Sequence, residues 1–224
     1  MKIFKIYIPK EIIIVLSLAV VLNLARVLFF NSTYFVFLLW NIFLAVLPFI
    51  ISSVLLFYYK NSKLTNFIFI FGLFVWLLFV PNAPYLVTDL IHVGRGRGVP
   101  IIYDTFLIFS SAWIGILLFF YSLSHIEKIF ISKFPKRNTS IVITGVILLI
   151  SFGIYLGRFL RFNSWDIVAN TEKLLNDIGS ILVKPIENKD AYIFMSLTFV
   201  FIYVSYMAWK AIKDDRRDDI NQSA

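Results

Sequence analysis

Twelve residues, Pro81-Asn-Ala-Pro-Tyr-Leu-Val-Thr-Asp-Leu-Ile-His92, interrupt an otherwise apolar chain with two prolines, an amide, a carboxylate and one of only two histidines. If Pro84 opens a short helix, a position that favours proline, then Tyr85, Asp89 and His92 share one face, with Leu86, Val87, Leu90 and Ile91 on the other. Asp89 and His92 would then be neighbours. A carboxylate beside an imidazole can orient and charge it as a general base. The two can also ligate a divalent metal, with Asp104 as a third ligand. Farther along, Arg158 and Arg161, three residues apart at the end of the fifth span, share a helix face whose two guanidinium forks can bind a phosphate or carboxylate. Asn82, Tyr85 and Asp166 complete the candidate substrate contacts. Each group has a structural alternative: a hydrogen-bond network joining helix ends, or ion pairs between the arginines and Asp89, Asp104 or Asp166.

These residues need a scaffold, and the composition says which kind. The 224 residues are 60% hydrophobic, 18% aromatic and 15% charged, with a mean hydropathy of +0.85, far from the balance of a soluble domain. With roughly 20 apolar residues needed per crossing, the chain reads as an all-α, polytopic integral membrane bundle of about six helices. Spans are expected near 12–30, 34–59, 65–80, 102–123, 140–160 and 191–209. Residues 1–210 then form a single transmembrane domain and 211–224 a charged tail. The net charge of +8 falls between apolar runs, as topogenic charge does, and does not indicate nucleic acid. Without cysteine there is no disulfide, thiolate nucleophile or cysteine-ligated metal.

Several elements carry further expectations. The first span holds Asn23 and Arg26 one turn apart, and Arg26 is expected to snorkel toward the outer edge, with an intramembrane functional charge as the alternative. Pro81 and Pro84 are expected to end the third span at Val80, with the alternative that the motif begins within the membrane, since the span is short. Gly94-Arg-Gly-Arg-Gly98 is a flexible cationic loop, lacking the strand and spacing of a phosphate-binding loop. His125, beside Glu127, looks incidental. In the last long connection Leu174, Leu175, Ile178, Ile181 and Leu182 recur at helical spacing from an Asn170 cap to Pro185, giving an amphipathic helix that lies on the membrane or caps the bundle. With both termini inside, thirteen basic residues fall on that side and seven on the other, so the positive-inside rule favours cytoplasmic termini. The segments 81–92, 103–104 and 158–166 then share the outer face.

Phe79-Val-Pro-Asn-Ala-Pro-Tyr-Leu-Val-Thr-Asp-Leu-Ile-His92, the Tyr103-Asp104 pair and Gly157-Arg-Phe-Leu-Arg-Phe-Asn-Ser-Trp-Asp166 together resemble an uncharacterised bacterial multi-pass membrane family, domain of unknown function number 1361. Where that family commonly has tryptophan, this chain has Ile102 and Phe162. The resemblance implies a bacterial inner-membrane protein and carries no catalytic assignment. From the residues themselves, the first expectation is an outward polar pocket acting on an anionic or lipid-linked envelope substrate. A transport or permeation protein, and a structural or partner-binding membrane protein, are the alternatives. The residues fix neither the oligomeric state nor the identity of a metal.

Overall fold

In hydrocarbon every backbone N–H and C=O must find a partner inside its own segment, so long apolar runs become helices. A computed structural model describes residues 7–96 and 98–222. In order they form α1 (Lys10–Phe30), α2 (Phe37–Lys60), α3 (Asn66–Phe79), α4 (Asn82–Thr88), a 3₁₀ turn (Asp89–His92), α5 (Ile101–Lys133), α6 (Lys136–Arg158), α7 (Asp166–Ala169), α8 (Thr171–Val183) and α9 (Lys189–Gln222), with no strand among the described residues. Among the described residues six stretches are long and apolar enough to cross a membrane. The protein is a polytopic, all-α membrane protein. Its helices fall into two compact units, one ending at Thr139 and one beginning at Ser140.

In the first unit α5 is the central helix: 72% of its most apolar window is buried, against 22% for α1 and 50% for α2. It packs on α1, α2 and α4. Contacts at both ends set α1 antiparallel to it. The Tyr103 hydroxyl at the start of α5 donates to the Leu22 carbonyl (2.6 Å), while Tyr121 lower down reaches the Glu11 carboxylate (3.4 Å). We call the end that holds the finish of α1 and the start of α5 the polar end. At 33 residues α5 spans about 50 Å and overshoots its expected end at 123, carrying Lys128 and Lys133 on the extension.

The third span corrects the expectation more substantially. By itself α3 has 14 residues, about 21 Å, too short for a hydrocarbon core of about 30 Å. Val80 and Pro81 keep right-handed helical angles, so the helical path continues and the span runs Asn66–His92. The Pro81–His92 motif is therefore the second half of a span. The prolines remove N–H donors without ending the helix because neighbouring side chains replace the lost bonds. Ala83 N–H turns to the Val80 carbonyl, and the Asn82 amide donates to the Phe79 carbonyl instead (2.9 Å). Six residues on, Asp89 N–H bonds Leu86 and Val87, and the Thr88 hydroxyl donates to the Tyr85 carbonyl (2.6 Å).

A glycine makes room for this broken span. A Cβ on Gly115 of α5 would stand 2.4 Å from the Ala83 carbonyl oxygen and 2.9 Å from Leu86 Cδ1. Only a hydrogen there lets α4 lie directly on α5.

In the second unit α6 and α9 are joined through rings: Phe159 meets Phe194 edge-on at 4.9 Å, and Tyr155 stacks on Phe159 at 5.2 Å. The amphipathic helix expected in the long connection is α8. Asn170 precedes it but makes no side-chain cap bond to it, because its amide is bonded to Asp166. The stretch expected as a separate tail beyond 210 continues α9 to Gln222; residues 211–222 contain neither glycine nor proline, and nothing in them breaks a helix.

Gly115→Ala is expected to lower stability in detergent by about 1–3 kcal/mol, the penalty of overpacking a well-filled contact. Gly145→Ala is the control: its Cβ meets nothing within 4 Å, so the lower entropy of alanine should leave stability unchanged or raised by about 0.5–1 kcal/mol. Equal thermal shifts for the two variants would contradict the close approach of α4.

Candidate functional site

Arg26 sits in the last turns of α1, and its guanidinium is aimed into the protein. The expected snorkelling does not occur, since Arg26 is 1% exposed. Its Nε donates to Asp104 Oδ1 (2.7 Å) and Nη2 to Oδ2 (3.2 Å), a two-pronged ion pair with α5. Nη1 donates to the Ser32 hydroxyl (2.7 Å) and carbonyl (3.1 Å) in the turn that follows α1. The Phe35 ring lies 4.7 Å from Cζ, close enough for cation–π attraction. Arginine can do this because its planar fork matches a carboxylate and still has donors left. Beneath the pair Phe35, Leu38, Leu107 and Ile108 form a buried cluster, with Leu22 and Val93 against it.

Gly96 closes the arrangement. An ideal Cβ there would lie 2.1 Å from Asp104 Oδ2 and 2.6 Å from Arg26 Nη2. The glycine-rich loop is thus a tight cover over an ion pair at this residue, where the sequence suggested only flexibility.

At the same end Asp89, 1% exposed, accepts from the Asn41 amide of α2 (3.0 Å). The expected division of faces between 84 and 92 is corrected. Leu86 and Asp89 point inward together, while Leu90 and Ile91 are exposed, because the chain tightens to 3₁₀ geometry at Asp89 and shifts the following residues around the axis. His92 is half-buried, edge-on to Phe37 at 5.6 Å, with Arg95 Nη1 3.4 Å from its Nδ1. Tyr85 is half-buried, and Asn82 caps the Phe79 carbonyl as described. Both oxygens of Asp104 hold Arg26, so its charge is already paired. Among the described residues no three histidine or carboxylate side chains are grouped to hold a metal ion.

The remaining candidates lie in the second unit. Arg158 and Arg161 were expected on one helix face, but α6 ends at Arg158. Phe162 N–H closes back on the Leu156 carbonyl (3.1 Å), and Arg161 takes a left-handed φ of 59° in a helix-terminating turn where glycine is usual. Arg158 is half-buried and Arg161 exposed. Asp166 organises the next turn, accepting from Asn163 N–H (2.6 Å) and from the Asn163 and Asn170 side-chain amides. The Asn163 N–H first, and then the Asn170 amide, hold its carboxyl below the ordinary value of 3.8.

An apolar furrow of about 530 Å³ runs between α1 and α5 below the polar end, walled by Leu18, Leu22, Tyr103, Phe106, Phe109 and Trp113. Ser110 also lines it, with its hydroxyl donated to the Leu107 carbonyl (2.9 Å). The furrow therefore presents hydrocarbon along its length.

The sequence model of the family described as "Protein of unknown function (DUF1361)" matches residues 40–205, nearly three quarters of the chain. The protein belongs to this DUF1361 family. The matched stretch opens in α2 one residue before Asn41 and closes within α9, so it contains Asp89, His92, Asp104 and the Arg158–Asp166 connection. Arg26 lies before it. No curated protein and no solved structure matches the chain.

Within this DUF1361 member sequence reasoning missed three contributors. Arg26 and Asn41 were single polar residues inside apolar runs, a pattern that by itself marks a buried partner. His125 bridges α2 and α5, its Nδ1 3.3 Å from the Ser52 hydroxyl and 3.4 Å from that of Ser53. Both hydroxyls also donate to the Phe49 carbonyl.

A carboxylate whose folded pKa is depressed contributes stability above its ordinary value and loses it as pH falls through the lower folded value. For Asp166, the Asn163 amide resonance should titrate with a midpoint below 3.8, and Asp166→Asn should abolish that step. A midpoint at or above 3.8 would show that the turn does not favour the charged carboxylate.

Proposed function

We propose that the protein lies in the bacterial cytoplasmic membrane with both termini cytoplasmic, and that its polar end binds an anionic, lipid-linked envelope molecule. The observation that carries this reading is the distribution of buried polar groups in the first unit. Asn23, Arg26, Asp89 and Asp104 are buried at one end, with half-buried Asn41 bonded to Asp89, while Ser52, Ser122, Ser124 and Glu127 are buried toward the other. Between Ser111 and Ser122, about 16 Å of α5, no serine, amide or charged side chain appears, and Ile42–Leu47 of α2 are equally apolar. A conduction path needs polar groups through the midplane, and a face-bound ligand does not.

The α1/α5 furrow supports the lipid-linked part of the proposal. Its volume falls in the range of ligand pockets, its wall is apolar, and Leu22 and Tyr103 carry it up to the Arg26–Asp104 pair. In this reading Arg26 and Asp104 shape the end of the site while Asp89 and His92, with Tyr85 nearby in sequence, supply its acid–base groups. Arg158 and Arg161 are the anion-binding candidates of the second unit.

Purified protein in detergent provides the test. A long-chain prenyl phosphate should raise the melting temperature by several degrees once well above its Kd. The corresponding prenol should give a smaller shift and inorganic phosphate none. His92→Gln should keep the fold and reduce the shift from the lipid phosphate. Equal shifts from phosphate ester and prenol, or no shift from either, would overturn the reading.

A further inference from the structure

The apolar face of α8 is divided into two ridges. Leu174 and Ile181, seven residues apart, lie on one line of the helix and are buried, at 9% and 3% exposure. Leu175 and Leu182 lie on a second line about 100° around the axis, and they are 62% and 64% exposed. Val183 and Ile186 extend this exposed side at the carboxyl end of the helix. A Cβ on Gly179, the next residue around the axis from Leu175 and Leu182, would meet nothing within 4 Å.

Where α8 sits is fixed at both of its ends. It joins α6, whose crossing ends at Arg158, to α9, whose crossing starts at Lys189, so the chain itself holds it at a membrane edge. At its carboxyl end, carbonyls of the last turn and of the Lys184 cap accept further bonds from side chains at the start of α9 and just before it, beyond the Lys184 N–H that Ser180 already receives. Asn188 Nδ2 donates to the Ser180 (3.2 Å) and Lys184 (2.9 Å) carbonyls, and the Tyr192 hydroxyl to that of Ile181 (3.0 Å). At its amino end the Asp166 turn fixes Asn170, beside a half-exposed Trp165, a residue type that favours the headgroup level.

We infer that α8 is an interfacial helix, with its Leu174–Ile181 ridge packed on protein and its Leu175–Leu182 ridge inserted among the acyl chains at the membrane surface. An aqueous connection would leave a row of large apolar side chains in water, whereas the interface receives them. The polar side carries Glu172, Lys173 and Asp177, of mixed sign, so insertion rests on apolar contact and needs no anionic lipid.

The absence of cysteine from the chain makes any single introduced cysteine a unique label. Nitroxides at Leu175→Cys and Leu182→Cys, in full-length protein reconstituted into phosphatidylcholine vesicles, should collide more with oxygen than with an aqueous nickel chelate. Labels at Glu172→Cys and Asn176→Cys should do the reverse. Adding phosphatidylglycerol should leave the pattern unchanged. Nickel access at 175 and 182 equal to that at 176 would place the ridge in water and overturn the inference. Protection from both reagents with spin–spin broadening would assign the ridge to a second copy of the chain, which overturns it equally.

Discussion

The first unit depends on one buried contact, the Arg26–Asp104 pair. It joins α1 to α5 across 78 residues of sequence, and through Ser32 it also fixes the turn leading into α2. Removing a guanidinium and a carboxylate from water costs several kcal/mol per ion, and only near-ideal geometry offsets that. Two prongs to the carboxylate, two further bonds to Ser32, an aromatic face and a glycine cover supply that geometry. Such a pair adds little to net stability compared with well-packed apolar residues, but it penalises any arrangement in which one partner is buried without the other. Its role is to specify how α1 and the loop carrying Gly96 meet the head of α5.

The second constraint is the broken third span. A membrane segment interrupted by two prolines persists only if the freed carbonyls are satisfied; here Ala83 N–H takes the Val80 carbonyl that Pro84 cannot, the Asn82 amide takes that of Phe79 in turn, and Thr88 serves the Tyr85 carbonyl where the helix tightens. That repair allows the change to 3₁₀ geometry at Asp89, which turns the carboxylate inward toward Asn41. Gly115 lets the repaired segment lie on α5. A polar end thus arises in a chain that is apolar almost everywhere else, with the furrow between α1 and α5 leading up to it.

Much of the architecture was legible in the sequence because apolar length and loop charge are local quantities. The six crossings and the amphipathic α8 were read from them, although the third crossing runs twelve residues and α5 ten residues past their expected ends. The errors that mattered came from residues whose partners are distant. Pro81 and Pro84 read as terminators because the side chains that rescue the backbone look like ordinary polar residues. Arg26 read as a snorkelling charge because nothing near it in sequence shows Asp104. Gly96 read as flexible because a glycine's packing partner is invisible in one dimension. The left-handed Arg161 carried no signal that would have separated it from the helical face shared with Arg158.

A double-mutant cycle on Arg26→Gln and Asp104→Asn, followed by unfolding in detergent, tests the central claim most directly. Each single change should destabilise the protein by about 3–5 kcal/mol, because each leaves a buried charge without its partner. The double variant should lose far less than the sum, with a coupling energy at or above the upper part of the usual 0.5–3 kcal/mol range, about 3 kcal/mol. Additive losses, or single variants as stable as the parent, would contradict the account.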